Sequence, residues 1–234
     1  MSAMVLNFLS AGAAQGLVEA LRPQFEAETG ATLQGRFGAV GAMKEALLAG
    51  EPCDVFIVTA AMVDALVAAG SLRAGTPAAL GTVRTGVAVP AGERRIDVST
   101  PEALKAALQA AEAIYFPDPV RATAGVHFAS VMRQLGIHDA LAARFRTFPN
   151  GAAAMHALAA SRAPRQIGCT QITEIHHAIG VQLCGPLPER FELATVYSAA
   201  VAQAVAEPVL AQQFIALLAG PSARPLRLQG GFEL

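Results

Sequence analysis

Short runs of small residues recur where an apolar strand gives way to a helix: Ser10-Ala11-Gly12, Gly38-Ala39-Val40-Gly41, Thr123-Ala124-Gly125 and Asn150-Gly151. A helix N-terminus carries unsatisfied backbone N–H groups and a partial positive charge, so such junctions can hold an anion without any lysine. Glycine by itself also accounts for a tight turn between α/β elements. Their recurrence within one chain points toward an anion or carboxylate site.

Polar side chains fall at similar positions. Thr170 and Gln171 follow a strand ending in Gly168-Cys169, and Glu174 sits one turn further on. Arg121 and His127 flank Thr123-Ala124-Gly125, Thr59 can cap a helix, and Tyr197 closes a strand. Glu174 also reads as a helix-start carboxylate favoured by the dipole, and Tyr197 as a core ring with a satisfied hydroxyl.

Other chemistries lack their residues. Gly12 and Gly16 are not followed by Gly-Lys-Ser/Thr, so no phosphate loop of that type forms. Gly38-x-x-Gly41 has the spacing of an RNA backbone clamp, but Ala39 and Val40 offer RNA nothing to hold. Cys169, His176, His177 and Cys184 exceed the spacing of zinc-ligand pairs. They read as a solvent-facing loop with two histidines between two strand cysteines. Neither a Gly-x-Ser-x-Gly elbow nor a His-Glu-x-x-His pair occurs. No metal and no cofactor is implied.

The chain has 234 residues, with 17 Lys+Arg against 18 Asp+Glu and a formal net charge of −1. A phosphate-backbone binder needs a cationic excess, so nucleic acid is excluded as a partner. With 53 % hydrophobic and 15 % charged residues, the chain is too apolar to be disordered. No run reaches the ~18 apolar residues of a membrane span, so no membrane insertion is expected. Met1 to Ser10 lacks a basic start, and Glu19 and Arg22 follow in an amphipathic pattern unlike a signal peptide. With three widely spaced cysteines, this predicts a cytoplasmic chain, or a periplasmic one if a leader has been removed.

The elements that must position these residues alternate. Strands are expected at Val5–Leu9, Thr32–Phe37, Asp54–Val58, Arg84–Val89, Ala113–Phe116, Phe145–Phe148, Gln166–Thr170, Val181–Cys184 and Phe191–Val196. Helices are expected from Leu17 to Gly30, Ala42–Ala49, Ala61–Ala69, Thr100 to Ala111, Ala124 to Leu135, Ala152 to Ala160 and Pro208–Leu218. Alternation with short links predicts a mostly parallel α/β sheet.

Three stretches resemble the periplasmic molybdate-binding proteins of ABC transporters: Asn7-Phe8-Leu9-Ser10-Ala11-Gly12, Phe37-Gly38-Ala39-Val40-Gly41-Ala42-Met43 and Ala49-Gly50-Glu51-Pro52-Cys53-Asp54-Val55-Phe56. Phe116-Pro117-Asp118-Pro119, Thr123-Ala124-Gly125, Pro149-Asn150-Gly151 and Ile167-Gly168-Cys169-Thr170-Gln171 continue the resemblance in order. It covers nearly the whole chain. It implies a type II periplasmic-binding-protein fold, α/β, with two lobes joined by two crossing strands. Lobe 1 would span 1–82 plus 196–234 and lobe 2 would span 83–195, with a small anionic ligand in the interlobe cleft.

That family holds a tetrahedral oxyanion with two serines, backbone amides of the second lobe and a tyrosine. The matching positions here are Gly12, Val40, Ala124 and Gly151, and Gln171, so both serines and the tyrosine are replaced. An oxyanion drawn from water needs donors for its oxygens. With those hydroxyls replaced, the expected ligand is an organic di- or tricarboxylate rather than molybdate. Its implied ligand-binding residues are Ser10, Ala11, Gly12, Ala39, Val40, Thr59, Thr123, Ala124, Asn150, Gly151, Thr170 and Gln171, with Arg84 and Arg121 as further carboxylate donors. The wider family includes aconitate isomerases. The alternative is accordingly an isomerase of unsaturated carboxylic acids, with Glu174, His127 or Tyr197 as base or acid. A transporter permease is a partner only if the chain is exported.

Overall fold

A short apolar run broken only by Asn7 and closed by the small Ser10 and Ala11 makes the first strand. In the computed structural model, which describes residues 4–234, β1 is Val5–Ala11 and runs through a 3-10 turn, Gly12–Ala14, into α1 (Gln15–Thr29). Leu17, Val18, Leu21 and Phe25 form the buried stripe of α1, and Gly30 ends it at φ 69°, a left-handed conformation that glycine adopts without strain. Then follow β2 (Thr32–Gly38), α2 (Val40–Leu48), β3 (Val55–Thr59) and α3 (Ala60–Ala68).

The chain divides into two compact units: the described residues up to Val83 with Thr195–Leu234, and Arg84–Ala194. In the first, β1 pairs in parallel with β2 and β3, and β3 pairs antiparallel with β9 (Ala194–Val201). Helices α9 (Pro208–Ala219) and α10 (Arg224–Gln229) complete it. Its core holds Phe8, Phe25, Met43, Phe56 and Phe214, with the Phe25 and Phe214 rings 4.9 Å apart. Each such side chain contributes about 1.5–3 kcal/mol by leaving water.

The chain enters the second unit along β4 (Ala78–Pro90), which pairs antiparallel with β7 (Gln166–Gln171) and β8 (Val181–Pro186). Strand β5 (Ala113–Pro117) lies parallel to both β7 and β6 (Phe145–Phe148). The helices are α4 (Pro101–Ala110), α5 (Thr123–Gln134), α6 (His138–Leu141), α7 (Gly151–Ala160) and α8 (Ile172–His177). Strand alternation gives the sheet two packed faces. On one, Val87, Phe116, Ile167 and Cys169 pack with Leu104, Leu108 and Phe128 of α4 and α5. On the other, Ala88 and Tyr115 pack with Met155 and Leu158 of α7 and Ile175 of α8.

Two expectations are corrected. The strand expected at Phe191–Val196 starts and ends later: Glu189–Phe191 is a 3-10 turn, and β9 runs from Ala194 to Val201. Phe191 is buried in the second unit's core, so packing fixes it as an anchor rather than a rung of a ladder. The stretch around His176 and His177 is helix α8, not an open loop, because Thr173, Glu174 and Ile175 are buried. Helices α6 and α10, and the extension of β4 back to Ala78, were not among the expected elements. Among the described residues, no helix is long and apolar enough to cross a membrane.

Candidate functional site

The C-terminal edge of the parallel strands is where open α/β sheets present helix N-termini to ligands. In the second unit this edge is formed by the ends of β5, β6 and β7, from which α5, α7 and α8 depart. At the end of β7, alternation sends Thr170 and Gln171 to opposite faces.

Thr170 faces α7. Its hydroxyl donates to Glu174 Oε2 at 2.5 Å. The Glu174 carboxylate also accepts from the backbone N–H groups of Gln171, Gly151 and Ala152. Glu174 is thus a carboxylate of the chain itself, buried and seated on the N-terminus of α7. Asn150 caps the same helix, its Oδ1 accepting from Ala153 N–H at 2.8 Å. A Cβ at position 151 would lie 1.9 Å from Glu174 Oε2 and 2.0 Å from Thr170 Oγ1, so only glycine admits this seat. Burial pushes the Glu174 carboxyl above the ordinary carboxylate range, and the hydrogen bonds from Thr170 and the three amides offset part of that rise.

Gln171 faces the α5 side. It lies directly opposite Thr85 in the β4–β7 ladder, and the next pair on that face is Val87 with Cys169, both in the core beneath α4 and α5. Gln171 is 3 % exposed and Thr85 1 %. Neither atom of the Gln171 amide has a hydrogen-bond partner among the described residues, nor does Thr85 Oγ1 or Thr173 Oγ1. A buried polar group left in that condition costs about 1–3 kcal/mol, a cost that a water or a ligand group would relieve.

Helix α5 starts on the same face. Its N-cap is Ala122, whose side chain cannot cap, in contrast to α7. Gly125 lets the first turn sit on the end of β5, since a Cβ there would fall 2.3 Å from the carbonyl oxygens of Pro117 and Asp118. His127 Nε2 lies 2.7 Å from the Phe191 carbonyl, which tethers α5 to the segment after β8. That segment runs beside Thr85, whose backbone N–H donates to Leu193 O and whose carbonyl accepts from Leu187 N–H. The structure thus gathers Thr123, Ala124, His127, Thr85 and Gln171 on one face of the unit. It gathers Asn150, Gly151, Thr170 and Glu174 on the other.

Arg84 is paired with Glu192 at 2.9 Å, both side chains about one-third exposed (36 % and 32 %). A groove of about 610 Å³ beside them is lined by Asp97, Glu189 and Glu192, and these carboxylates make it a poor seat for an anion. Arg121 is exposed, and its backbone N–H donates to Asp118 Oδ1 at 3.1 Å. Cys169 and Cys184 have thiols pushed up by burial, and no group of three or more metal-ligating side chains occurs among the described residues.

The first unit arranges its own edge. Ala11 lies opposite Gly38 and Ser10 opposite both Phe37 and Ile57, so Gly12, Ala39, Val40 and Thr59 meet at one end of the sheet. Ser10 is buried and donates to the Ala11 carbonyl at 3.0 Å. Ala39 is the N-cap of α2 and supplies no side-chain cap, whereas Thr59 caps α3 through Met62 N–H. Tyr197 is 2 % exposed and lies opposite Thr59 across β3 and β9. Thr85 and Thr173 were not among the sequence-derived candidates. The available signal was a threonine inside the otherwise apolar run Thr85-Gly86-Val87-Ala88-Val89.

The chain is 26 % identical over 224 residues to an aconitate isomerase from a Pseudomonas species, covering 93 % of this chain and 83 % of that protein. It superposes on the periplasmic molybdate-binding protein of Azotobacter vinelandii with a TM-score of 0.81 at 22 % identity, covering 98 % of this chain and 99 % of that one. The sulfate-binding protein SubI of Mycobacterium tuberculosis matches with a TM-score of 0.73 at 16 % identity, over 98 % of this chain and 86 % of its own. The expected fold class therefore holds: the fold is that of the periplasmic binding proteins. Over residues 6–233 the chain matches the profile of the bacterial extracellular solute-binding proteins, and it belongs to that family.

Proposed function

We propose that the chain binds a small organic anion, a di- or tricarboxylate. One observation carries this reading: α5 begins without a side-chain cap beside the unpartnered, buried Gln171 and Thr85, while α7 already holds the Glu174 carboxylate. A compact oxyanion needs donors around all its oxygens. With the α7 amides engaged by Glu174, the second unit offers the α5 amides and neutral side chains. That set suits one carboxylate at α5 and the rest of a larger solute spread over hydroxyl and amide groups. The likeness to an aconitate isomerase supports a carboxylate.

A thermal-shift panel of molybdate, tungstate, sulfate, dicarboxylates and tricarboxylates tests the reading. A ligand at 100 times its dissociation constant stabilises the native state by about 2.7 kcal/mol. A carboxylate is the expected hit; molybdate or tungstate as the sole hit contradicts the proposal.

A second reading is isomerisation of an unsaturated carboxylic acid by proton transfer. It is favoured by the same relative and by the raised, buried Glu174 carboxyl, since a base works best when tuned toward the working pH. His127 Nε2 is engaged by the Phe191 carbonyl, and Glu174 by Thr170 and backbone N–H groups on the face opposite Gln171, so proton transfer by either requires it to leave those partners. Incubation of the hit in D₂O with proton NMR separates the two: exchange or a shifted double bond means turnover, and neither means binding alone. The binding reading goes with an exported chain that hands its solute to a permease, the isomerase reading with a cytoplasmic one. Cell fractionation distinguishes them.

A further inference from the structure

Resting on the carboxylate reading, we propose that the solute carries an O–H hydrogen-bond donor beside its carboxylate, so that a hydroxy acid is preferred over the unsubstituted acid. Gln171 sets this requirement through its unmatched donor and acceptor. Its amide has a donor end, Nε2, and an acceptor end, Oε1, and both lie buried without partners. A fully ionised carboxylate or oxyanion has only acceptor oxygens. It satisfies Nε2 and leaves Oε1 facing a ligand oxygen, whichever way the amide is turned. A ligand that also donates completes both ends without a bridging water.

The neighbours do not supply that donor. Thr85 stands directly opposite on the same face, yet its hydroxyl is not within bonding reach of the amide, and Thr173 Oγ1 is likewise unpartnered. These hydroxyls can donate or accept, so they tolerate either ligand group. Gln171 is therefore the discriminating residue. The uncapped α5 N-terminus on the same face provides the place for the anionic group. A site built around a buried polar side chain rejects the analogue that lacks the matching group, because the side chain is then left unpaired.

The test is calorimetric titration of the full chain, near neutral pH, with two pairs: malate against succinate, and citrate against tricarballylate. The hydroxy member of at least one pair should bind on the order of tenfold or more tighter. Gln171→Leu, or Gln171→Met if the first variant folds poorly, should bring that ratio toward one, whereas Thr85→Val should leave it in place. Lowering the pH separates two sources of the donor. If the members of a pair bind equally but both tighten on acidification, a protonated carboxyl is the donor and the preference for a hydroxy acid is overturned. Equal and pH-independent affinities, or tighter binding of the unsubstituted acids, overturn it. Failure of all four acids to bind overturns the carboxylate reading itself, and this inference with it.

Discussion

Glu174 and Gly151 are a matched pair. The glycine is required by the carboxylate oxygen that a Cβ would meet at 1.9 Å. Gly151→Ala is expected to destabilise the protein by about 1–3 kcal/mol, the usual cost of overpacking. Gly151→Ala combined with Glu174→Ala should recover part of that loss, because the clashing atoms are gone. Urea denaturation of the three variants reads this directly, and additive losses would contradict the pairing. The raised Glu174 carboxyl also makes stability depend on pH. Its folded value lies above its ordinary 4.5, so its stabilising contribution is full below that value and is lost as pH rises through the folded value. The wild type should therefore lose stability relative to Glu174→Gln as pH is raised from below 4.5, and a constant difference between the two would refute the assignment.

At the scale of elements, the contrast between α5 and α7 matters most: one N-terminus is capped and carries an internal carboxylate, the other has alanine at its cap. Thr123→Asp adds a charge to the first turn of α5. The helix dipole should favour it by about 0.3–1 kcal/mol, while a bound anion should be repelled and bind roughly tenfold or more weakly. Unchanged affinity would remove α5 from the site. Much of this layer was legible in the sequence. Strand periodicity and Gly30, Gly50, Gly70 and Gly136 mark element ends, because a left-handed residue after a helix is written in one residue type. The strand-to-helix junctions at Thr123, Asn150 and Thr170-Gln171 were likewise visible as small and polar residues at the ends of apolar runs. Helix α8 was not, because it is only a turn and a half long and is held by tertiary burial of Glu174 and Ile175. Phe191 misled for a related reason: an aromatic residue ahead of Leu193, Thr195 and Val196 reads as part of one strand, yet its ring is claimed by the core under α5. Thr85 shows in the sequence only as a threonine heading an apolar run, and its significance comes from the cross-strand pairing with Gln171, which is not local.

The whole molecule carries a formal charge of −1, so attraction for an anion has to come from local dipoles rather than from the overall field. Affinity for a carboxylate should accordingly change by less than about threefold as sodium chloride is raised from low to moderate concentration, since partly buried interactions are screened far less than exposed ones. A steep salt dependence would instead indicate a surface cluster of arginines. The most direct test of the central claim is a parallel calorimetric titration of the purified chain with a tricarboxylate and with molybdate. Saturable, one-to-one binding of the tricarboxylate, with molybdate weaker or silent, is the predicted result. Tight molybdate binding with no response to the tricarboxylate would contradict the account.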